Sequence, residues 1–117
     1  MRPLVDYRFG IGPMSKNVVD ACIDYANSRH VGIMFIPSRH QIEWDGGYVN
    51  GWTTESFYHY VSDRTDQIVI MRDHGGPGQG DKEDDGRESL AHDCSSLDMI
   101  HLDPWKTVKG NAHGSNV

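Results

Sequence analysis

Three short, mostly apolar runs, each ending in proline or in charged residues, constrain the fold of this chain most strongly. They occupy residues 31–36, 67–73 and 97–103 and recur at intervals of about 30 to 36 residues, the length of a strand–helix–strand unit. Apolar runs of this length that are rich in β-branched residues are typical of strands buried on both faces, as in parallel sheets. The sequence therefore predicts parallel strands joined by crossover helices.

The segments between these runs have the spacing of amphipathic helices. Ser15 is placed to cap a helix over residues 16–29, and Thr53 is placed to cap a second helix that ends near Thr65. A third helix is predicted to end near Ser96. The residues predicted to face inward are Val18, Val19, Cys22, Ile23 and Ala26 in the first helix, Phe57, Tyr60 and Val61 in the second, and Leu90, Cys94 and Leu97 in the third.

A weaker first strand over residues 4–11 completes an alternating β-α-β-α-β-α-β order. Both a small open sheet and the first half of a (β/α)8 barrel have this order. An open dinucleotide-binding sheet usually has a glycine fingerprint after its first strand, but residues 10–15 lack the third glycine and include Pro13. We therefore expect an α/β fold, a partial (β/α)8 TIM barrel with four parallel strands and three crossover helices over residues 1–106. We expect the polar segment 107–117 to be a disordered or truncated tail.

Charge and composition exclude several classes of partner. The net charge is −6, with 17 acidic and 11 basic residues and no basic run, which argues against nucleic acid and anionic membranes as partners. No apolar stretch approaches the ~18 residues of a membrane span, and no signal peptide precedes the first strand, so we expect a cytoplasmic protein. Cys22 and Cys94 lack metal-binding spacing and are expected to be reduced.

Polar residues follow each predicted strand, at the edge where parallel α/β proteins bind their ligands. Divalent metals take imidazole and carboxylate ligands, which converge when neighbouring strands present them on one rim. We predict His74 and His101 as metal ligands and Asp73 as an acid–base group beside them. The polar residues at this edge are Ser38, Arg39, His40, Glu43 and Asp45 after the second strand, Arg72, Asp73 and His74 after the third, and His101 and Asp103 after the fourth.

Each of these residues also has a structural interpretation. An Asp-His pair at a strand end equally caps the next helix or satisfies loop amides. His101 lies between two apolar residues, so it could equally be a hydrogen-bonded histidine of the core. Glu43 could equally be a solvated residue of a flexible loop. The loop aromatic residues either stack on a sugar or hold the loop against the core; they are Trp44, Tyr48 and Trp52.

Three ordered motifs within residues 31–106 resemble one family. Residues 38–53 include Gln41 and then Gly46-Gly47-Tyr48 before Gly-Trp-Thr; residues 73–77 read Asp-His-Gly-Gly-Pro; and residues 100–103 read Ile-His-Leu-Asp. This order is similar to that of the class II tagatose-bisphosphate aldolase non-catalytic subunit family and the related ketose 4-epimerases. The chain departs from the family pattern at Arg39-His40, where a small residue and Asn are usual, and at Trp52, where Met is common.

The resemblance implies an aldolase-type barrel that performs metal-assisted aldol cleavage or C4 epimerisation of a ketose or ketose (bis)phosphate. It implies a divalent metal, expected to be zinc, a catalytic role for Asp73 and a metal-binding role for His74. We further expect Glu43 to be a catalytic carboxylate. The residues expected to bind the sugar or sugar-phosphate substrate are Ser38, Gln41, Gly46, Gly47, Tyr48, Arg72 and Asp103.

The family's barrels take further metal ligands and phosphate-binding loops from strands beyond the fourth. We therefore expect this chain to be inactive alone, or to assemble by pairing half-barrels as a homo-oligomer. The alternative is a non-catalytic accessory subunit that stabilises a class II tagatose-bisphosphate aldolase partner. A third alternative is a free-standing four-stranded binding domain.

Overall fold

The computed structural model describes residues 7–103, which form one four-stranded parallel sheet with three connecting helices. This confirms the predicted α/β fold with its four parallel strands and three crossover helices. Residues 4–6 of the predicted first strand and the predicted tail over residues 107–117 lie outside the described residues. The elements in chain order are β1 Tyr7–Ile11, α1 Lys16–Arg29, β2 Gly32–Phe35, α2 Thr54–Ser62, β3 Ile68–Gly75, α3 Arg87–Ser96 and β4 Met99–Leu102.

The strands lie side by side in the order in which they occur in the chain, β1-β2-β3-β4. A doubly wound sheet reverses its strand order at a switch point, whereas the strands of a (β/α)8 barrel follow one another without reversal. Because parallel crossovers are right-handed, a sheet that grows in one direction keeps all of its helices on one face. The strand order is that of consecutive barrel units, while the closed barrel remains a prediction.

The hydrophobic core lies between the helices and one face of the sheet. Ile33 and Phe35 of β2 and Ile70 of β3 belong to this core. The loop between β2 and α2 also contributes, because the Trp52 ring lies 5.3 Å from Phe57 between ring centroids. Trp52 therefore packs the loop onto the core, as the structural interpretation of this residue predicted. The other buried apolar members are Val19, Ile23, Ala26, Ile42, Val49, Phe57, Val61 and Ile68.

The first two helices begin where their capping residues predict. The Ser15 hydroxyl accepts a hydrogen bond from the Val18 amide, and Thr53 and Ser56 form a reciprocal capping box. These caps satisfy amides that the first turn of a helix leaves unpaired. The second helix ends at Ser62, somewhat before the predicted end near Thr65.

The third helix turns a different face inward from the one predicted. It buries Ser89 and Asp93, while Leu90 is half-buried and Cys94 is exposed. Leu97, which follows the helix, packs against the core as predicted. The cause lies in β3, where the guanidinium of Arg72 is fully buried and requires a carboxylate partner. Leaving that charge unpaired costs more than the burial of one leucine gains, so Asp93 takes the inward position.

No helix within residues 7–103 is both long and apolar enough to cross a membrane.

Candidate functional site

The carboxyl ends of β3 and β4 bring together three of the predicted site residues. Side chains alternate along a strand, so Asp73 faces away from the core that its neighbour Arg72 enters. Arg72 pairs with Ile100 across the β3–β4 ladder, so His101 faces the same side as Asp73. His74 follows Asp73 at the end of β3, and the three side chains meet at one rim.

The distances between these side chains suit a shared metal ion. Oδ1 of Asp73 lies 3.7 Å from Nε2 of His74 and 3.7 Å from Nδ1 of His101. One ligand atom from each of the three residues lies within 4.8 Å of the others. Zinc ligands stand about 2.0–2.2 Å from the metal, so small side-chain rotations would place these three atoms around one ion. The residues present fit a divalent metal.

Asp103 orients one of the two histidines. Nδ1 of His74 lies 3.1 Å from Oδ2 of Asp103, which leaves Nε2 of the same ring directed toward Asp73. A carboxylate on the second ring nitrogen is the usual way in which a protein fixes the tautomer and orientation of a metal-binding histidine. Asp103 was predicted to bind substrate, but the structure places its carboxylate against His74.

The backbone around the rim is unusually constrained. His74 has φ of 49°, a left-handed conformation that is uncommon for residues other than glycine. Gly76 follows with φ of 136°, and a Cβ at this position would lie 2.6 Å from the carbonyl oxygen of Asp103. Strained backbone of this kind concentrates at functional sites. Here it turns the His74 imidazole back over the end of β4.

The loop over residues 38–52 has a dense internal hydrogen-bond network. Ser38 and Gln41 bind each other twice, since each side chain accepts a hydrogen bond from the other's amide. Gly47 approaches Gln41 so closely that a Cβ would overlap its carbonyl group. The amide of Gly46 donates to the Glu43 carbonyl, while Tyr48 leaves 65% of its surface exposed. Four of the predicted substrate-binding residues, Ser38, Gln41, Gly46 and Gly47, thus have structural tasks, and Tyr48 has an accessible ring.

Arg72 does not reach the rim, which contradicts its predicted role in substrate binding. Its side chain is completely buried and donates to both carboxylate oxygens of Asp93, at 2.9 Å each. The remaining short hydrogen bonds go to the carbonyls of Pro37, Ser38 and Ile42, at 3.3, 2.8 and 2.6 Å. The guanidinium therefore fastens the 38–52 loop to β3 and α3.

Glu43 also lies apart from the rim. Its carboxylate accepts a hydrogen bond from Nε of buried Arg39 at 2.7 Å, and Arg39 in turn reaches Asp84 in the β3–α3 loop. Burial alone would lower the pKa of Arg39, but the hydrogen bonds to Asp84 and the charge of Glu43 raise it overall. This ion cluster holds the two loops together, so the structure does not support the predicted catalytic role of Glu43.

A cavity of about 390 Å³ lies over this ion cluster and is separate from the rim, because its lining includes none of the three convergent residues. The sequence shows Arg39 as a polar residue after the second strand and as a departure from the family pattern. Its spacing from Glu43, one helical turn, was a usable signal, whereas its pairing with Asp84 depends on the fold. The lining residues are Arg39, Glu43, Trp44, Asp45, Gly46, Asp81, Lys82, Glu83, Asp84, Asp85 and Glu88.

Comparisons with known proteins identify a shared fold. No protein-family model matches the chain, and no curated protein matches it. A solved structure described as a probable tagatose 6 phosphate kinase from Sinorhizobium meliloti 1021 matches with a TM-score of 0.66 and 22% sequence identity. The match covers 90% of this chain but 30% of that one, so the chain spans less than a third of the length of the neighbour. At this identity the similarity shows the α/β fold alone, and the resemblance to an aldolase subunit family remains a prediction.

Proposed function

We propose that the chain forms the metal-binding part of an aldolase-like or epimerase-like protein that acts on a ketose or a ketose phosphate. The observation that carries this proposal is the meeting of Asp73, His74 and His101 within 4.8 Å at the carboxyl ends of two parallel strands. Two imidazoles and a carboxylate are a ligand set that zinc accepts, and the end of the strands is where such folds bind substrates.

Within this proposal each residue has a definite task. His74 and His101 would hold the metal, and Asp103, 3.1 Å from Nδ1 of His74, would keep that ring in place. A divalent metal held there would supply Lewis acidity for polarising a substrate carbonyl. Asp73 lies between the two imidazoles with 37% of its side chain exposed, so its free oxygen can take or return a proton of the substrate.

Two similarities and one exposed aromatic ring support the proposed substrate class. The motifs around Gln41, Asp73 and Ile100 resemble those of a family named for tagatose bisphosphate, and the structural neighbour is described as a probable kinase of tagatose 6-phosphate. The exposed ring of Tyr48 offers an apolar surface against which a sugar face can stack. The reaction we propose is reversible aldol cleavage or C4 epimerisation.

A second candidate function is that of a non-catalytic subunit that stabilises an aldolase partner. The observation that favours it is the openness of the rim, since His74 and His101 have 54% and 52% of their side chains exposed. In the part of the chain that the structure describes, the three convergent residues come from two adjacent strands and form only one wall of a site. Catalysis in a water-excluded pocket would need groups from another source.

Cobalt or zinc titration of the full chain tests the metal site. We expect one ion to bind per chain, and we expect His74→Ala and His101→Ala to weaken binding at least about tenfold, because each removes a ligand. His59→Ala is the matched control, since His59 is an exposed histidine on α2. Equal affinity in all four proteins would remove the metal assignment.

Assays of turnover distinguish the two functions. Ketose phosphates would be offered to the metal-loaded chain, and products of cleavage and of epimerisation would be followed separately. Turnover that is lost in Asp73→Asn supports the enzyme. Metal binding without turnover, together with increased stability of an added class II aldolase, supports the accessory subunit.

A further inference from the structure

His92 of α3 lies where two helices and a loop of the fold meet. Its Nδ1 is 2.5 Å from Oε2 of Glu55 on α2, and its Nε2 is 3.8 Å from Oε2 of Glu88 on its own helix. The ring also stacks on the indole of Trp44 in the 38–52 loop, with 5.7 Å between ring centroids and 16° between ring planes. One imidazole therefore connects α2, α3 and the loop.

The geometry of these contacts favours a charged ring. Both nitrogens of an imidazolium carry a proton, so the ring can donate to Glu55 while its second N–H faces the Glu88 carboxylate. A cation over the face of an indole, within about 6 Å of the ring centre, is attracted by the electrons of that ring. A neutral imidazole can keep the hydrogen bond to Glu55, but it loses the charge attraction to Glu88 and to the indole.

We propose that protonation of His92 controls the position of Trp44: the imidazolium holds the indole against α3, and loss of the proton releases it. Trp44 and Glu88 both line the cavity of about 390 Å³ over the Arg39 ion cluster. The held indole would narrow this cavity on the side of the 38–52 loop, and its release would widen it. The inference is independent of the metal site, because none of the rim residues takes part in these contacts.

The charged groups around His92 set the pH range of this control. The hydrogen bond to Glu55 raises the pKa of His92, burial opposes this effect, and the charges of Glu88 and Asp93 on α3 add to it. The 38–52 loop faces the ring with the uncharged indole. The contact should therefore hold in mild acid and weaken as pH rises through the raised pKa, which lies above 6.5.

The remainder of the loop has a second attachment that does not change near neutral pH. The Trp44 amide donates to Oε1 of Glu43 at 3.1 Å, and the other oxygen of Glu43 accepts from Arg39. The hydrogen bond from Arg39 to Asp84 lowers the pKa of Asp84, so this pair stays charged across the neutral range. Loss of the His92 proton should thus move the indole and its neighbours in the loop, while the ion cluster stays in place.

Acrylamide quenching of tryptophan fluorescence tests whether the indole is released. The chain has three tryptophans, so the signal of Trp44 is the difference between each protein and the same protein carrying Trp44→Phe. We expect stronger quenching of Trp44 at about pH 8.5 than at about pH 5.5, with a midpoint above 6.5. His92→Gln should lose this transition and should be quenched at both pH values as the parent is at the higher one.

His59→Gln is the matched control, since it removes an exposed histidine from α2 and should keep the transition. Hydrogen exchange of the amides of residues 44–49 tests the effect on the loop. At about pH 5.5 these amides should exchange faster in His92→Gln than in the parent, and at about pH 8.5 the two proteins should exchange alike. Comparison at equal pH cancels the intrinsic dependence of exchange on pH.

Glu55→Gln gives a second test that leaves the histidine ring in place. It removes the main cause of the raised pKa, so the midpoint of the Trp44 signal should shift down toward 6.5. Circular dichroism checks that each variant is folded at both pH values. Quenching of Trp44 that is equal at both pH values, a transition that persists in His92→Gln, or an unchanged midpoint in Glu55→Gln would each overturn the proposal.

Discussion

Arg72 of β3 donates two parallel hydrogen bonds of 2.9 Å to the carboxylate of Asp93 on α3, and both side chains are completely buried. The same guanidinium also bonds to three carbonyls in residues 37–42. One buried side chain therefore connects a strand, a helix and a loop. Its removal should affect all three at once.

The first prediction concerns this buried pair. Asp93→Ala leaves the guanidinium charge without its carboxylate, so we expect the free energy of unfolding to fall by about 3–5 kcal/mol. Urea unfolding followed by circular dichroism measures the loss. Lys82→Ala removes one partner of an ion pair at the surface and should leave the unfolding midpoint almost unchanged. Similar midpoints for the two variants would contradict the role assigned to the Arg72–Asp93 pair.

The second prediction concerns Asp103 and depends on the proposed metal site. Asp103→Ala removes the carboxylate that holds Nδ1 of His74, so we expect zinc or cobalt affinity to fall about 10- to 100-fold. Metal titration measures the change, and circular dichroism checks that the fold persists. Asp24→Ala, at an exposed acid on α1, should bind metal as the parent does. Unchanged affinity in Asp103→Ala would show that the His74 ring binds metal without the hydrogen bond to Asp103.

The third prediction concerns the pH dependence of the contact between α2 and α3. The hydrogen bond that His92 makes with the Glu55 carboxylate raises the pKa of His92 above 6.5. Burial alone would raise the pKa of Glu55, but the same hydrogen bond lowers it below 4.5 overall. A raised histidine pKa stabilises the fold below pH 6.5 and loses that effect as pH rises through the folded value. The lowered Glu55 pKa stabilises the fold above pH 4.5 and loses its effect in acid.

The pair should therefore stabilise most between these two limits. We expect the melting temperature of the parent to exceed that of His92→Ala near a pH of about 5.5 and the difference to shrink toward about pH 9. Trp44 stacks on His92 with 5.7 Å between ring centroids, so its fluorescence should change over the same range. His59→Ala serves as the control on α2. A difference that grows with pH would have the wrong sign for this mechanism.

The fourth prediction concerns Gly47. Any Cβ at this position meets the backbone of Gln41, which cannot move aside easily, so Gly47→Ala should destabilise the fold by about 1–3 kcal/mol or more. Gly12→Ala is the matched control, because its Cβ would make ordinary contacts of 3.7 Å and 3.9 Å with side-chain atoms. Thermal unfolding of both variants measures the contrast. Equal melting temperatures would show that the backbone around Gly47 and Gln41 can shift to accommodate a Cβ.

Much of the fold follows from local sequence signals. The apolar runs, the caps at Ser15 and Thr53 and the order of the elements depend on neighbouring residues, and the structure has them where the sequence predicts. The inward face of α3 could not be predicted in this way. Leu90 and Cys94 are the apolar residues of that helix, so its sequence alone predicts that they face the core. Asp93 faces the core instead because it pairs with the buried Arg72, which lies 21 positions earlier in the chain.

The candidate site, too, could be predicted only in part from the sequence. Asp73, His74 and His101 were predictable because the ends of parallel strands meet at one rim, which is a property of the fold class. Arg72 and Glu43 also follow predicted strands, but each is paired with a buried partner. Asp93 is distant from Arg72 in the sequence, whereas Arg39 is four residues before Glu43 and could have been recognised as its partner. Successive side chains of β3 point to opposite faces of the sheet. Arg72 therefore points into the core, whereas Asp73, the next residue, points to the rim.

The uninterrupted strand order affects how the molecule unfolds locally. Because each strand is added beside the one before it, the structure resembles a short linear array in which every unit is supported mainly by its immediate neighbours. Opening at the β4 end need not disturb β1 and α1, which lie at the far side of the sheet. Amide hydrogen exchange should therefore show protection that rises from both outer strands toward β2 and β3, with the two ends exchanging independently.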